Sequence, residues 1–110
     1  MRPRVNLWIE HDGEVVLSDW RVSLLEAIAE TGSISAAAAK MNVPYHRAWD
    51  KIREMEDGLG VKLVETQTGG AGGGGAQLTP DGLDYVERFR RFQAGFQEQI
   101  EHRFQETFGK

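Results

Sequence analysis

Apolar residues recur every three or four positions along most of this chain and every second position over a few short runs. That pattern predicts a mainly helical fold with a small β component. The first run, Val5-Asn6-Leu7-Trp8-Ile9-Glu10, reads as a half-buried strand, and His11-Asp12-Gly13-Glu14 carries the Asp-Gly signal of a hairpin turn. Val15-Val16-Leu17 is the returning strand; a loose N-terminal arm is the other reading. Ser18 or Asp19 caps the next element, where Val22, Leu25, Ile28 and Ala29 mark one face of a helix, Leu24 lies beside it, and Gly32 ends it. Ser33 or Ser35 opens a second helix, Ala36 to Met41, rich in alanine, which favours helix and close approach. Asn42-Val43-Pro44 is a turn, with Pro44 suited to the first turn of a third helix. There Ala48, Ile52, Met55 and Leu59 share one face, while His46, Arg47, Asp50, Arg53 and Asp57 share the opposite one. Tyr45 and Trp49 sit on the flank, and Gly58 and Gly60 end the helix.

After the third helix come two extended segments, Val61 to Thr68 and Ala76 to Thr79, around a run from Gly69 to Gly75 that only Ala71 interrupts. Two helices, a strand, a glycine tip and a returning strand make the layout of a winged helix. Glycines at the tip let backbone approach a phosphate chain without side-chain clashes. Thr79 then caps a final helix with Pro80 at its first position. Tyr85, Phe89, Phe92, Phe96, Ile100, Phe104 and Phe108 run down it at spacings of four or three. A domain this small covers only the first part of such a stripe, so a long dimerisation helix is expected; folding back on its own domain is the alternative. The predicted architecture is a winged helix-turn-helix with an N-terminal hairpin over residues 1–80 (wing 62–79) and a dimerisation helix over 81–110.

Composition narrows the function. The chain has 110 residues, suited to one domain, and no cysteine, which fits a reducing cytoplasm. Glu10, His11 and Asp12 interrupt any signal-peptide pattern, and no apolar run is long enough for a membrane span. The net charge of -4 stands against DNA binding, which rests on cations meeting phosphates. The distribution softens this: from Lys40 to Arg53 the charged residues are Lys40, Arg47, Lys51, Arg53 and Asp50, with His46 among them, so cations gather toward the third helix, and the local field outweighs the sum.

A reading helix enters the major groove by its N-terminal end, here Pro44-Tyr45-His46-Arg47. Arg47 can pair bidentately with guanine, and His46 and Tyr45 can meet a base edge or phosphate. Lys51 belongs to the same cationic helix, and Arg53, further along, suits phosphate. Ser33 and Ser35 either bind phosphate or simply cap their helix. Trp49 suits packing between helix and wing. On the wing, Thr66, Gln67, Thr68 and Gln77 are neutral donors, and Gly69, Gly70, Ala71 and Gly72 offer backbone N–H groups.

Leu24-Leu25-Glu26-Ala27-Ile28-Ala29-Glu30-Thr31-Gly32-Ser33-Ile34-Ser35, Tyr45, Ala48-Trp49-Asp50, Leu63-Val64-Glu65, the run from Gly69 to Ala76, and Leu78-Thr79 with Gly82 follow one another in a specific order. Together they resemble the N-terminal DNA-binding domain of the ModE-type molybdate-responsive regulators, over roughly Val5 to Arg91. There is a more distant likeness to the LysR-type winged helix. The resemblance implies a homodimeric transcription factor that holds double-stranded DNA with its third helix and wing. It implies a dimer interface that includes Leu24, Ile28, Phe89 and Phe92, to which the aromatic stripe adds Tyr85, Phe96 and Ile100. Two departures matter. The family's wing usually carries Lys where this chain has Ala71, which removes one phosphate contact and about one unit of salt dependence per wing. Full-length members also carry molybdate-binding domains, for which these residues have no room, so molybdate binding is not expected of this chain.

Other classes fit less well. No Gly-Lys-Ser/Thr follows Gly75, so the glycine run is no P-loop, and His11, His46 and His102 share no metal-ligand spacing. No enzyme, metal or cofactor is expected. An acidic winged helix can instead bind protein, with weak or no DNA binding. Arg88, Arg90 and Arg91 are either an oxyanion site or a solvated face paired with Asp84 and Glu87.

Overall fold

Residues 1–67 and 75–109 are described by the computed structural model. β1 (Trp8–His11) and β2 (Glu14–Ser18) form an antiparallel hairpin, turned by Asp12 (φ 52) and Gly13 (φ 83) with a bulge at Ile9/Glu10. Two successive left-handed residues make the tight turn that the Asp-Gly pair predicts. The first strand starts at Trp8 rather than Val5. Leu7 just ahead of it packs against the core, while the first residues reach the far end of the chain, where Gln97 Nε2 donates to the Pro3 carbonyl at 3.0 Å.

α1 (Asp19–Thr31) is capped by Ser18, whose Oγ accepts from the Arg21 N–H at 3.2 Å, and it ends at Gly32. Its buried set is Arg21, Val22, Leu24, Leu25, Ala27 and Ile28. This is wider than a single stripe, because β2, α2 (Ile34–Lys40), α3 (Tyr45–Leu59), β4 (Gly75–Leu78) and α4 (Pro80–Gln93) all pack on α1. Ala29, expected in the core, faces solvent instead. Ser33, not Ser35, caps α2, its Oγ accepting from the Ala36 N–H at 3.1 Å. Pro44 stands just before α3 in extended conformation, so the helix begins at Tyr45.

Ala48, Ile52 and Met55 of α3 are fully buried against α1 and α2. Gly60 ends the helix, but Gly58 lies inside it. A Cβ at Gly58 would overlap the Val16 side chain, so this glycine lets the hairpin sit close on α3. Sequence spacing had suggested a terminator; the reason for the glycine comes from a residue far upstream.

The wing's base is tied at several points. β3 (Val64–Gln67) pairs antiparallel with β4, from Val64↔Leu78 to Gln67↔Gly75. Glu56 on α3 accepts from the Leu63 N–H at 2.8 Å and the Val64 N–H at 3.2 Å, which fixes the start of β3. The Ala76 N–H donates to the Gly32 carbonyl at 2.8 Å, pinning β4 to the end of α1. Thr79 caps α4 by accepting from the Gly82 N–H at 2.9 Å, and its hydroxyl donates to the Lys62 carbonyl at 2.7 Å.

The final helical stretch is divided. α4 ends at Gln93 and α5 (Phe96–Phe108) follows across Ala94 and Gly95, whose φ of 90° suits a glycine. The aromatic spacing runs through this break, since Phe92 and Phe96 meet edge to face with centroids 5.4 Å apart. α4 belongs to the core: Phe89 is buried with Leu24, Ile28 and Leu63, so packing does not divide at residue 80. No residue of α5 is buried. The radius of gyration is 16.7 Å and the long dimension 63 Å, against about 13 Å expected for a rounded domain of this length. Among the described residues, no helix is long and apolar enough to cross a membrane.

Candidate nucleic-acid interface

A groove of about 280 Å³ runs between the start of α2, the outer flank of α3 and the wing. Ser33, Ser35, Tyr45, Trp49, Thr66 and Gln67 line it. These six of the residues proposed from sequence thus share one face, while His46, Arg47, Lys51, Arg53 and Gln77 do not line the groove. Thr68, Gly69, Gly70, Ala71 and Gly72 lie outside the described residues. Gln77 is exposed on β4, opposite Glu65 in the ladder.

The cations separate into engaged and free ones. Lys40 pairs with Glu30. Lys51 lies 3.6 Å from Glu54. Glu54 in turn accepts from the largely buried Arg21 at 2.8 Å, and that donated hydrogen bond holds its carboxyl below the usual value of 4.5. Lys51 is thereby drawn toward α1 and away from the groove. Arg47 and Arg53 form no ion pair among the described residues. Arg47 and His46 project from the exposed first turn. Arg53 lies over the indole of Trp49, 5.2 Å from the ring centroid. Tyr45, 53% exposed, meets the same indole edge-on at 6.5 Å. Ser33 spends its hydroxyl on capping, whereas Ser35 is exposed on the first turn of α2.

The other end of α3 has the opposite sign. Glu54 and Asp57, with His11, Asp12 and Glu14 of the hairpin, border a cavity of about 630 Å³. The helix is therefore polarised, cationic in its exposed first turn and acidic where it meets the hairpin. Nothing in the periodicity revealed that the hairpin would add its acids to the far end.

Leu24, Ile28 and Phe89, expected at a dimer interface, are each no more than 1% exposed within the chain itself. The chain's own core consumes them, so they offer a partner no surface. Tyr85, Phe96 and Ile100 remain partly exposed, and Phe92 is 52% exposed. The arginines of α4 follow the solvated alternative: Arg88 pairs with Asp84 and Arg91 with Glu87, each at 3.1 Å. Arg90 does something the spacing did not reveal. It reaches across to α1, donating to Asp19 and Glu26 at 2.7 Å and to Ser23 at 3.0 Å. The Arg90 hydrogen bond holds the Asp19 carboxyl below its usual value, and Glu26 raises the Arg90 guanidinium above its own.

Comparison with known proteins places this geometry. The profile described as "Bacterial regulatory helix-turn-helix protein, lysR family" matches residues 21–83. Molybdenum-pterin-binding protein MopB of Rhodobacter capsulatus is 44% identical over 75 residues, covering 68% of this chain and 28% of that protein. The DNA-binding transcriptional dual regulator ModE of Escherichia coli K12 is 38% identical over 89 residues, covering 81% of this chain and 34% of that protein. The chain thus spans about a third of the length of these relatives. Among solved structures, the CbnR_DBD–DNA complex superposes with a TM-score of 0.54 at 29% identity, over 66% of this chain and 77% of that one. The BenM_DBD/benA site 1 DNA complex gives 0.60 at 19% identity, over 82% of this chain and 96% of that one, a likeness of fold alone.

Proposed function

The chain belongs to the lysR family of bacterial regulatory helix-turn-helix proteins, and from that premise we propose that it is a sequence-specific regulator of transcription that holds double-stranded DNA as a homodimer. One observation carries the reading: the start of α2, Tyr45 and Trp49 of α3 and the base of the wing border a single groove, with His46 and Arg47 exposed on the same turn as Tyr45. Arg47 is the base reader, since its guanidinium is exposed at the helix end that enters a major groove. Tyr45 and His46 flank it, and Ser35, Thr66, Gln67 and Gln77 contact backbone. The ModE and CbnR_DBD proteins, described as DNA-binding and as a DNA complex, support the same reading.

The second copy is inferred from α5. A 13-residue helix with no buried residue and an aromatic stripe does not hold its place by its own packing. In this proposal Phe92, Phe96, Ile100 and Phe104 meet their counterparts, while α4 stays with its own body. Molybdenum stands in the names of several relatives, but the proposal extends to DNA and a second copy only.

The test is fluorescence anisotropy with fragments of the protein's own upstream region, across a salt series. The proposal expects at least one fragment to bind at least a hundredfold tighter than random duplex, with Arg47→Ala erasing that preference while leaving the fold intact. Equal affinity for all fragments at low salt would contradict it and favour a protein-binding winged helix.

A further inference from the structure

Deepening the DNA-binding reading, on which it rests, we propose that Trp49 is a positioning residue: it holds Arg53 against the wing-side flank of α3 as a phosphate clamp and leaves base reading to Arg47. Trp49 packs on the hydrophobic core from its place on α3. The Arg53 guanidinium lies over its ring, 5.2 Å from the centroid, and Tyr45 meets it in a T-shaped contact at an interplanar angle of 85°. Tyr45, Trp49 and Arg53 are spaced by four, so they form one row along the flank that borders the groove. A guanidinium laid over an indole keeps its N–H donors at the rim, pointing outward in the ring plane. There they can meet phosphate oxygen but are too constrained to track a base edge. Arg47, six residues nearer the helix start than Arg53 and on the opposite flank from Trp49, lies over no aromatic ring among the described residues. Two arginines on one helix thus acquire different tasks from the presence or absence of an aromatic beneath them.

The free protein gives the first test. The Arg53 side-chain protons should show an upfield ring-current shift in the NMR spectrum that disappears in Trp49→Leu. Its absence in the wild type would overturn the positioning role whatever DNA does. The second test is the salt dependence of binding to the best upstream fragment and to random duplex. Arg53→Ala should weaken both by the same factor and lower the slope of log K against log salt by about one unit per subunit. Trp49→Leu should reproduce that slope, Trp49→Phe should restore most of it, and the double variant Trp49→Leu/Arg53→Ala should be no weaker than Arg53→Ala alone. If Trp49→Leu keeps the wild-type slope, or if Arg53→Ala loses discrimination between fragments, the assignment fails while DNA binding itself stands. If Trp49→Leu does not fold, Arg53→Ala and Arg53→Lys decide: the inference requires that both leave the ratio of specific to random binding unchanged. A wild-type protein that prefers no fragment defeats the function and the clamp together.

Discussion

The body formed by α1 to α4 and the helix α5 carry the same signal in sequence, apolar residues at spacings of three and four, yet they use it differently. In the body those residues meet one another: Leu24, Leu25, Ile28, Ile52, Met55, Leu63 and Phe89 fill one core. In α5 they meet solvent and the first few residues of the chain, where Arg2 lies 3.9 Å from Glu101. Periodicity states that a face will be covered but not by what. A helix surrounded by five elements, as α1 is, satisfies its stripe internally, while α5, beyond Gly95, meets among the described residues the chain's first residues and Phe92 of α4.

That contrast can be broken by mutation, and the largest effect belongs to the body. Ile52→Ala, in the fully buried face of α3, should cost about 3 kcal/mol in denaturant unfolding. Ile100→Ala at micromolar or lower protein should cost under about 1 kcal/mol. Comparable losses would mean that α5 is part of the monomer's cooperative unit. Gly82→Ala comes next. A Cβ there would overlap the Leu63 carbonyl at the junction of wing and α4, so about 2 kcal/mol is expected, with wild-type stability as the contrary result.

α5 is sharpened by a different readout. Phe96→Glu should leave the melting temperature nearly unchanged while sedimentation equilibrium shifts from dimer to monomer. A persistent dimer would place the interface elsewhere. Arg90→Ala, which unzips α4 from α1, should cost about 1 kcal/mol, because its partners are half exposed and regain water.

The smallest effect is that of acid. Asp19 and Glu54 are held below their usual values of 3.8 and 4.5 by hydrogen bonds from Arg90 and Arg21. A carboxylate with a depressed folded-state pKa contributes stability that is complete above its unfolded value and lost as pH falls through the folded one. Melting temperature should therefore stay level from pH 7 to about 5.5 on account of these groups and fall below about pH 4.5. Glu54→Gln should make the fall shallower; an unchanged acid limb would remove Glu54 from the account.

The sequence made the elements legible wherever the cause was local. Ser18 and Thr79 cap because a hydroxyl there reaches an N–H three residues on, and Asp12-Gly13 turns because both residues accept the left-handed region. The face shared by Tyr45, Trp49, Thr66 and Gln67 followed from the order of elements. Legibility ended where the cause lay far along the chain. Gly58 looked like a helix end because Val16, which it accommodates, is 42 positions away by residue number. Leu24, Ile28 and Phe89 looked like interface because spacing does not distinguish a chain's own core from a partner's. The break at Gly95 was signalled by the Ala94-Gly95 pair but masked by the Phe92–Phe96 spacing that bridges it.

The central claim is that two copies present α3 and the wing to one duplex. Hydroxyl-radical footprinting of the tightest-binding upstream fragment tests it most directly. The account predicts two protected patches on the same face of the DNA, related by a dyad and separated by a whole number of helical turns, both lost in Phe96→Glu at low protein concentration. A single patch that survives Phe96→Glu unchanged would contradict it.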